Sequence, residues 1–149
     1  MYKFILGFVV LVVLTSCGGS GETAEKYMQA GFIYFQKQEY DQAIASFQKA
    51  VELEPKAAAG HNMLGMAYRF KATQLGIPEL RAKEIAAFQK ALEADPKYWV
   101  AMINLGVTYF GQGEKAKAAP LLKKAVALNP QHPEKDQLEK MIAEGEAKP

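Results

Sequence analysis

One set of residues at fixed offsets returns three times along this chain, and that recurrence limits the fold more than any other feature. Tyr27, Ala30, Gly31, Tyr34, Ala43, Phe47, Ala50 and Pro55 form the first set. His61, Leu64, Gly65, Tyr68, Phe88, Ala91 and Pro96 form the second, which carries seven extra residues between Tyr68 and Phe88. Met102, Leu105, Gly106, Tyr109, Ala118, Leu122, Ala125 and Pro130 form the third. Ala24 and Ala58, where the first two units start, lie 34 residues apart, as do Pro96 and Pro130. A period of this length marks a supersecondary unit that cannot bury its apolar face alone, so neighbouring units must stack.

Within the first unit Tyr27, Ala30, Gly31 and Tyr34 recur at i, i+3, i+4 and i+7, the period of one helix face. Glycine costs about 1 kcal/mol inside a helix, so Gly31 calls for a packing reason, and close approach of a second helix supplies one. That second helix is expected over about Tyr40 to Glu54, with Ala43, Phe47, Ala50 and Val51 facing the first. Small Gly31, Ala43 and Ala50 leave room for Tyr34 and Phe47 to interlock. Pro55 stops the pair.

The landmarks resemble the tetratricopeptide repeat, with Tyr27 and Met102 in place of the usual tryptophan, Ala30 in place of the usual leucine and Leu122 in place of the usual phenylalanine. The resemblance implies an all-α fold, a right-handed superhelix of three stacked helix-turn-helix repeats over 24–57, 58–98 and 99–132, closed by a C-terminal capping helix over 133–144. The expected repeat domain is 24–145, fraying from Gly145, with 146–149 a tail. In the cap, Leu138, Met141 and Ile142 form one narrow apolar stripe, which suits a solvated end for a stack that would otherwise leave an apolar face open.

Repeat two departs from the pattern. It has Glu84 where a small alanine is expected, and its seven extra residues are close to two helical turns, read here as one additional turn on each helix. Gly76-Ile77-Pro78 is then the hairpin tip, with Pro78 at the first position of the second helix. Leu75, Ile77 and Leu80 cluster at that end, either as a contact surface or as a staple of the tip to itself. Trp99, three positions before the family site, is expected to pack on the second helix of repeat two. Pro120 either removes one backbone bond from the last repeat's second helix or delays its start.

The N-terminal residues obey different rules. Lys3 is the only charge before Glu22, and 4–14 is an apolar run of eleven residues broken only by Gly7. A permanent span needs about 20 apolar residues, so this run reads as the core of a secretory signal peptide over 1–16. Leu14-Thr15-Ser16-Cys17 resembles a bacterial lipobox, which implies that Cys17 is lipidated, palmitate included, and becomes the mature N-terminus. Two or more acyl chains hold a protein stably to a membrane. Residues 17–23, with Gly18-Gly19-Ser20-Gly21, read as a flexible tether reaching about 20 Å from Gly18 to Thr23. Gly18 is not the aspartate that resembles an inner-membrane retention signal in some Gram-negative bacteria, so the expected location is the bacterial cell envelope, at the periplasmic face of the outer membrane if the source is Gram-negative.

Composition closes off other classes. The 149 residues carry 18 basic and 16 acidic side chains, interspersed, which gives no support to nucleic-acid binding. His61 and His132 are the only histidines and Cys17 the only cysteine, so no metal site, Cys-His pair or cofactor is expected. His61 replaces a core aromatic, and His132 precedes a proline in a loop expected to face solvent. Gly111-Gln112-Gly113 follows a helix instead of a strand and is a turn, not a dinucleotide loop. An enzyme is not expected.

What remains is a binding surface. The resemblance implies an inner groove lined by fixed positions of the first helix of each repeat: Met28, Phe32 and Phe35 in repeat one, Asn62, Met66, Arg69 and Phe70 in repeat two, and Ile103, Val107 and Phe110 in repeat three. Met28, Phe32 and Phe35 at i, i+4 and i+7 form a second apolar stripe, which a helix must either bury against its neighbours or offer to a partner. Some members of the family clamp a peptide's C-terminal carboxylate. The matching positions here include Met28, Phe32, Met63 and Val100, with only Asn104 polar, so the expectation is an apolar groove for an amphipathic helix or extended apolar segment. The chain thus reads as a membrane-anchored scaffold for a protein or peptide partner of the cell envelope. By analogy with small repeat lipoproteins it would aid assembly of an outer-membrane machine such as a pilus or secretion system; an adaptor for peptidoglycan-processing enzymes is the alternative.

Overall fold

The computed structural model describes residues 21–147, so the signal-peptide reading, the lipobox and Cys17 lie outside the described residues. Among the described residues there are seven helices and no strand: α1 (Ala24–Gln36), α2 (Tyr40–Leu53), α3 (Ala58–Leu75), α4 (Leu80–Ala94), α5 (Trp99–Gly111), α6 (Lys115–Leu128) and α7 (Lys135–Glu146). Successive helices pair antiparallel and stack in chain order as a right-handed superhelix. No helix among the described residues is long and apolar enough to cross a membrane.

Each hairpin is closed by one glycine and one large side chain. A Cβ on Gly31 would stand 2.6 Å from the Phe47 ring, one on Gly65 2.6 Å from the Phe88 ring, and one on Gly106 2.6 Å from Leu122. Phe47, Phe88 and Leu122 are wholly buried, so the glycines are where the second helix of each pair inserts its anchor. Consecutive hairpins share a second device. Gln48 in α2 donates to the Tyr68 hydroxyl in α3 at 3.1 Å, and Gln89 in α4 donates to the Tyr109 hydroxyl in α5 at 3.2 Å. The offset of 20 residues is the same in both.

The insertion in repeat two is unevenly placed. α3 has 18 residues against 13 in α1 and α5, while α4 has 15 against 14 in α2 and α6. The expectation of one extra turn on each helix therefore gives way to an extended α3 alone. Gly76, at φ 63°, ends that helix in the left-handed region that a side chain disfavours. Pro78 lies before the helix instead of at its first position, in a turn where Leu80 and Arg81 donate to Ile77 and Pro78. At this tip Leu80 packs on the first core cluster, Ile77 is half-buried and Leu75 stays 55% exposed.

Three further expectations change. Trp99 meets the His132 ring edge-on, 5.6 Å between centroids, and His132 is half-buried instead of solvent-facing. Pro120 sits inside α6, which begins at Lys115 regardless, so the proline removes one backbone bond and delays nothing. The cap, α7, runs to Glu146, and Gly145 is no frayed end: a Cβ there would collide with the Lys115 carbonyl oxygen and lie 2.8 Å from Ala119 Cβ. α7 is stitched to α6 by Lys115 to Glu144 at 2.7 Å and Lys123 to Glu146 at 2.8 Å, with Leu138 and Met141 buried beneath. His61 fills its core-aromatic position with its ring buried, and Nε2 donates to the Pro55 carbonyl at 2.9 Å.

Candidate functional site

The first helices of the three repeats, α1, α3 and α5, carry the residues expected to line the groove, and the structure sorts them into three groups. Phe32, Phe70 and Val107 are exposed, at 46%, 40% and 38%. Met28 and Phe35 are half-buried against the first core cluster, and Ile103 and Phe110 against the second. Asn62 is buried, while Met66 and Arg69 are half-buried.

An aromatic cluster joins repeats one and two. Phe35 stands edge-on to Phe70 at 5.3 Å and to Tyr40 at 5.6 Å, and Tyr40 stacks on Phe70 at 5.9 Å. Such ring pairs add about 0.5–1.5 kcal/mol each beyond the area they bury. Tyr40 opens α2, outside the positions read as groove-lining, so periodicity along the first helices alone does not pick it out. The ion pair of Lys71 with Asp41 joins the same two hairpins.

Between repeats two and three the buried contact is polar. Glu84, on α4, is wholly buried and held by the two arginines of the chain. Arg69 Nε donates to Glu84 Oε1 at 2.8 Å, and Arg81 Nη1 donates to Oε2 at 2.6 Å. The Thr108 hydroxyl donates to Oε1 at 2.6 Å. The rest of the Arg69 guanidinium is occupied as well: Nη1 reaches Asn104 Oδ1 at 3.1 Å and Met66 Sδ at 3.7 Å, and Nη2 reaches the Asn104 carbonyl and the Thr108 hydroxyl, both at 2.7 Å. Asn104 Nδ2 in turn donates to Asn62 Oδ1 at 2.9 Å. The guanidinium also lies 4.9 Å over the Phe88 ring. A buried carboxylate is tolerable only when paired and hydrogen-bonded, and this one has both oxygens engaged, Oε1 by two donors and Oε2 by one.

Two of the groove expectations, Asn62 and Arg69, are thus held inside the protein by α3–α5 bonds. The sequence did carry a signal for this network: an acid in a small-residue position, and a chain otherwise rich in lysine whose two arginines both fall in repeat two.

Tetratricopeptide-repeat family models match residues 31–69 and 82–142. These are tetratricopeptide repeats. No curated protein sequence matches the chain. Among solved structures the repeat domain is similar to the Arabidopsis OM64 TPR domain, with TM-score 0.71 and 17% identity over 82% of this chain and 95% of that one. It is similar to the TPR2B domain of yeast Sti1 in complex with pHsp70, with TM-score 0.68 and 21% identity over 82% and 94%. It is also similar to YrrB, described as a TPR protein with an unusual peptide-binding site, with TM-score 0.66 and 24% identity over 81% and 59%. The tetratricopeptide fold is commonly a peptide-binding, non-catalytic interaction module.

Proposed function

We propose that this tetratricopeptide-repeat chain is a lipid-anchored scaffold that holds an envelope protein on its inner face. The observation that carries the reading is the run of aromatic surface from Phe32 through Phe35 and Tyr40 to Phe70, two of whose rings are 46% and 40% exposed. Rigid, solvent-facing aromatics on packed helices suit the apolar side of an amphipathic helix or an extended segment. Anchoring rests on Leu14-Thr15-Ser16-Cys17 in the sequence. A tether of about 20 Å then keeps α1 close to the bilayer. The envelope partner proposed is a component of an outer-membrane assembly such as a pilus or secretion machine.

Two variants test it. Phe32→Ser with Phe70→Ser should remove crosslinking of a partner from native membranes while the helical signal is unchanged; undiminished crosslinking would sink the aromatic-surface reading. Cys17→Ala should move the protein out of the membrane fraction, and retention there would rule out the lipid anchor.

A further inference from the structure

The end of the stack at α1 differs from the junctions inside it. Lys26, Ala30 and Ile33 correspond, at the 34-residue period and with the seven-residue insertion added, to Gly60, Leu64 and Ala67 of α3 and to Ala101, Leu105 and Thr108 of α5. In α3 and α5, each of which follows another hairpin, all six are buried. α1 follows no hairpin among the described residues, and there Ile33 is 53% exposed, Lys26 is exposed and Ala30 is half-buried. With Lys37 at the C-cap, Lys26, Ala30 and Ile33 fall at i, i+4, i+7 and i+11, one stripe along the helix.

The stripe is not shaped for another repeat. A Cβ on Gly60 would stand 2.9 Å from Val51 Cγ1, so α2 approaches α3 closely enough to require a glycine there. A lysine at the matching position of α1 bars an equally close helix. A soft surface that carries anionic groups suits it, because a lysine stem can lie along apolar surface while its ammonium reaches out. Lys26 and Lys37 take part in no ion pair among the described residues. Of the acids at this end, Asp41 pairs with Lys71, Glu52 pairs with Lys49, Glu25 accepts from Gln29 and Glu22 lies beside Tyr27, which leaves Glu39 in the turn after α1. The Thr23 side chain accepts from the Lys26 amide at 3.2 Å and fixes the start of α1, so the tether from Cys17 leads directly into the helix that carries the stripe.

We propose that Lys26, Ala30, Ile33 and Lys37 dock α1 on the anionic head groups of the lipid surface, so that the stack stands end-on with α1 lowest and α7 farthest away. One isoleucine and two lysines bind weakly alone, and attachment through Cys17 makes the contact intramolecular and raises its effective concentration. Phe32 lies one residue before Ile33, about 100° around the helix, so the inner face stays open to a partner while α1 is docked. The proposal rests on the lipid-anchor reading of Cys17 and adds to it the surface and the orientation.

Cys17 is the chain's one cysteine, so once it is acylated a second cysteine can be labelled alone. The full-length protein, purified from the membranes of the cells that make it, is spin-labelled as Ile33→Cys or as Leu128→Cys and reconstituted in vesicles of phosphatidylcholine with or without phosphatidylglycerol. Leu128, 41% exposed on α6, is the apolar surface site at the far end of the stack. In vesicles with phosphatidylglycerol the label at 33 should collide with a water-soluble nickel complex several-fold less often than the label at 128, and the shielding should weaken without phosphatidylglycerol. Lys26→Gln with Lys37→Gln should lower the ratio of docked to undocked label about thirtyfold, the loss of two lysines near an anionic surface, while the helical signal is unchanged. Equal collision rates at 33 and 128, or equal shielding in the two kinds of vesicle, would overturn the contact. Dipolar broadening between labels at 33 on separate copies would assign the face to a second copy and overturn it as well. Uptake of label by the unsubstituted chain would show a free Cys17 and overturn the anchor itself, and the contact with it, so the two failures are read separately.

Discussion

Arg69 reaches from α3 to the wholly buried Glu84 of α4 at 2.8 Å, and the same guanidinium holds Asn104 and Thr108 of α5. One side chain therefore ties the two helices of repeat two to the first helix of repeat three. Removing one partner of a buried pair costs about 3–5 kcal/mol, because the other is left charged and unpaired. Glu84→Ala is expected to destabilise the domain by about that much in urea unfolding. Glu84→Leu combined with Arg69→Met should recover a large part of the loss. A double variant no more stable than Glu84→Ala would show that the pair does not act as a unit.

The glycines give a paired prediction. Gly31→Ala and Gly65→Ala drive a methyl into the Phe47 and Phe88 rings and should each cost about 1–3 kcal/mol. Gly111→Ala, where a Cβ meets nothing within 4 Å and φ is not positive, should instead stabilise by roughly 0.5 kcal/mol through the unfolded chain. Thermal unfolding of the three variants distinguishes them, and a uniform loss would contradict the packing described.

Docking of the cap is checked at Gly145. Gly145→Ala brings a methyl against the Lys115 carbonyl, which is backbone and cannot swing aside. α7 should lift from α6, seen as lost hydrogen-exchange protection at Leu138 and Met141 while amides of α1 and α2 keep theirs. Unaltered protection in α7 would mean that the end of the helix adapts without cost.

Alkaline pH should weaken the fold in a defined window. Burial raises the Tyr68 and Tyr98 hydroxyls above the usual 10.0, offset in part at Tyr68 by the Gln48 hydrogen bond and reinforced at Tyr98 by Asp95. The folded state then holds these protons more tightly than the unfolded chain, so their contribution is fully present below about pH 10 and is lost as pH rises through the folded values. Urea midpoints are expected to be level up to that point and to fall beyond it. Tyr98→Phe should make the fall shallower; an identical slope would exclude Tyr98 as a source.

Pro120 offers a gain. It is exposed within α6, and Pro120→Ala restores the bond to Ala116 without disturbing a contact, with an expected stabilisation of about 1–3 kcal/mol in urea unfolding.

The repeat period, the number of helices, the glycine-to-anchor contacts and the need for a cap were all readable along the chain, because each follows from residues within one hairpin and from a spacing that recurs. Local spacing also marked Gly76 as a tip and Phe32 and Phe70 as surface. It could not decide how seven residues divide between two helices, since either division preserves the buried face; the structure lengthens α3. Nor could it pair Glu84 with arginines 15 residues before and three before it, or join Arg69 to Thr108 39 residues on. An acid in a small-residue position announces that something must neutralise it. Which side chain does so depends on the angle and distance between stacked helices, and only the tertiary structure sets those, because a charge removed from water is stabilised by whichever donors the packing brings within 3 Å.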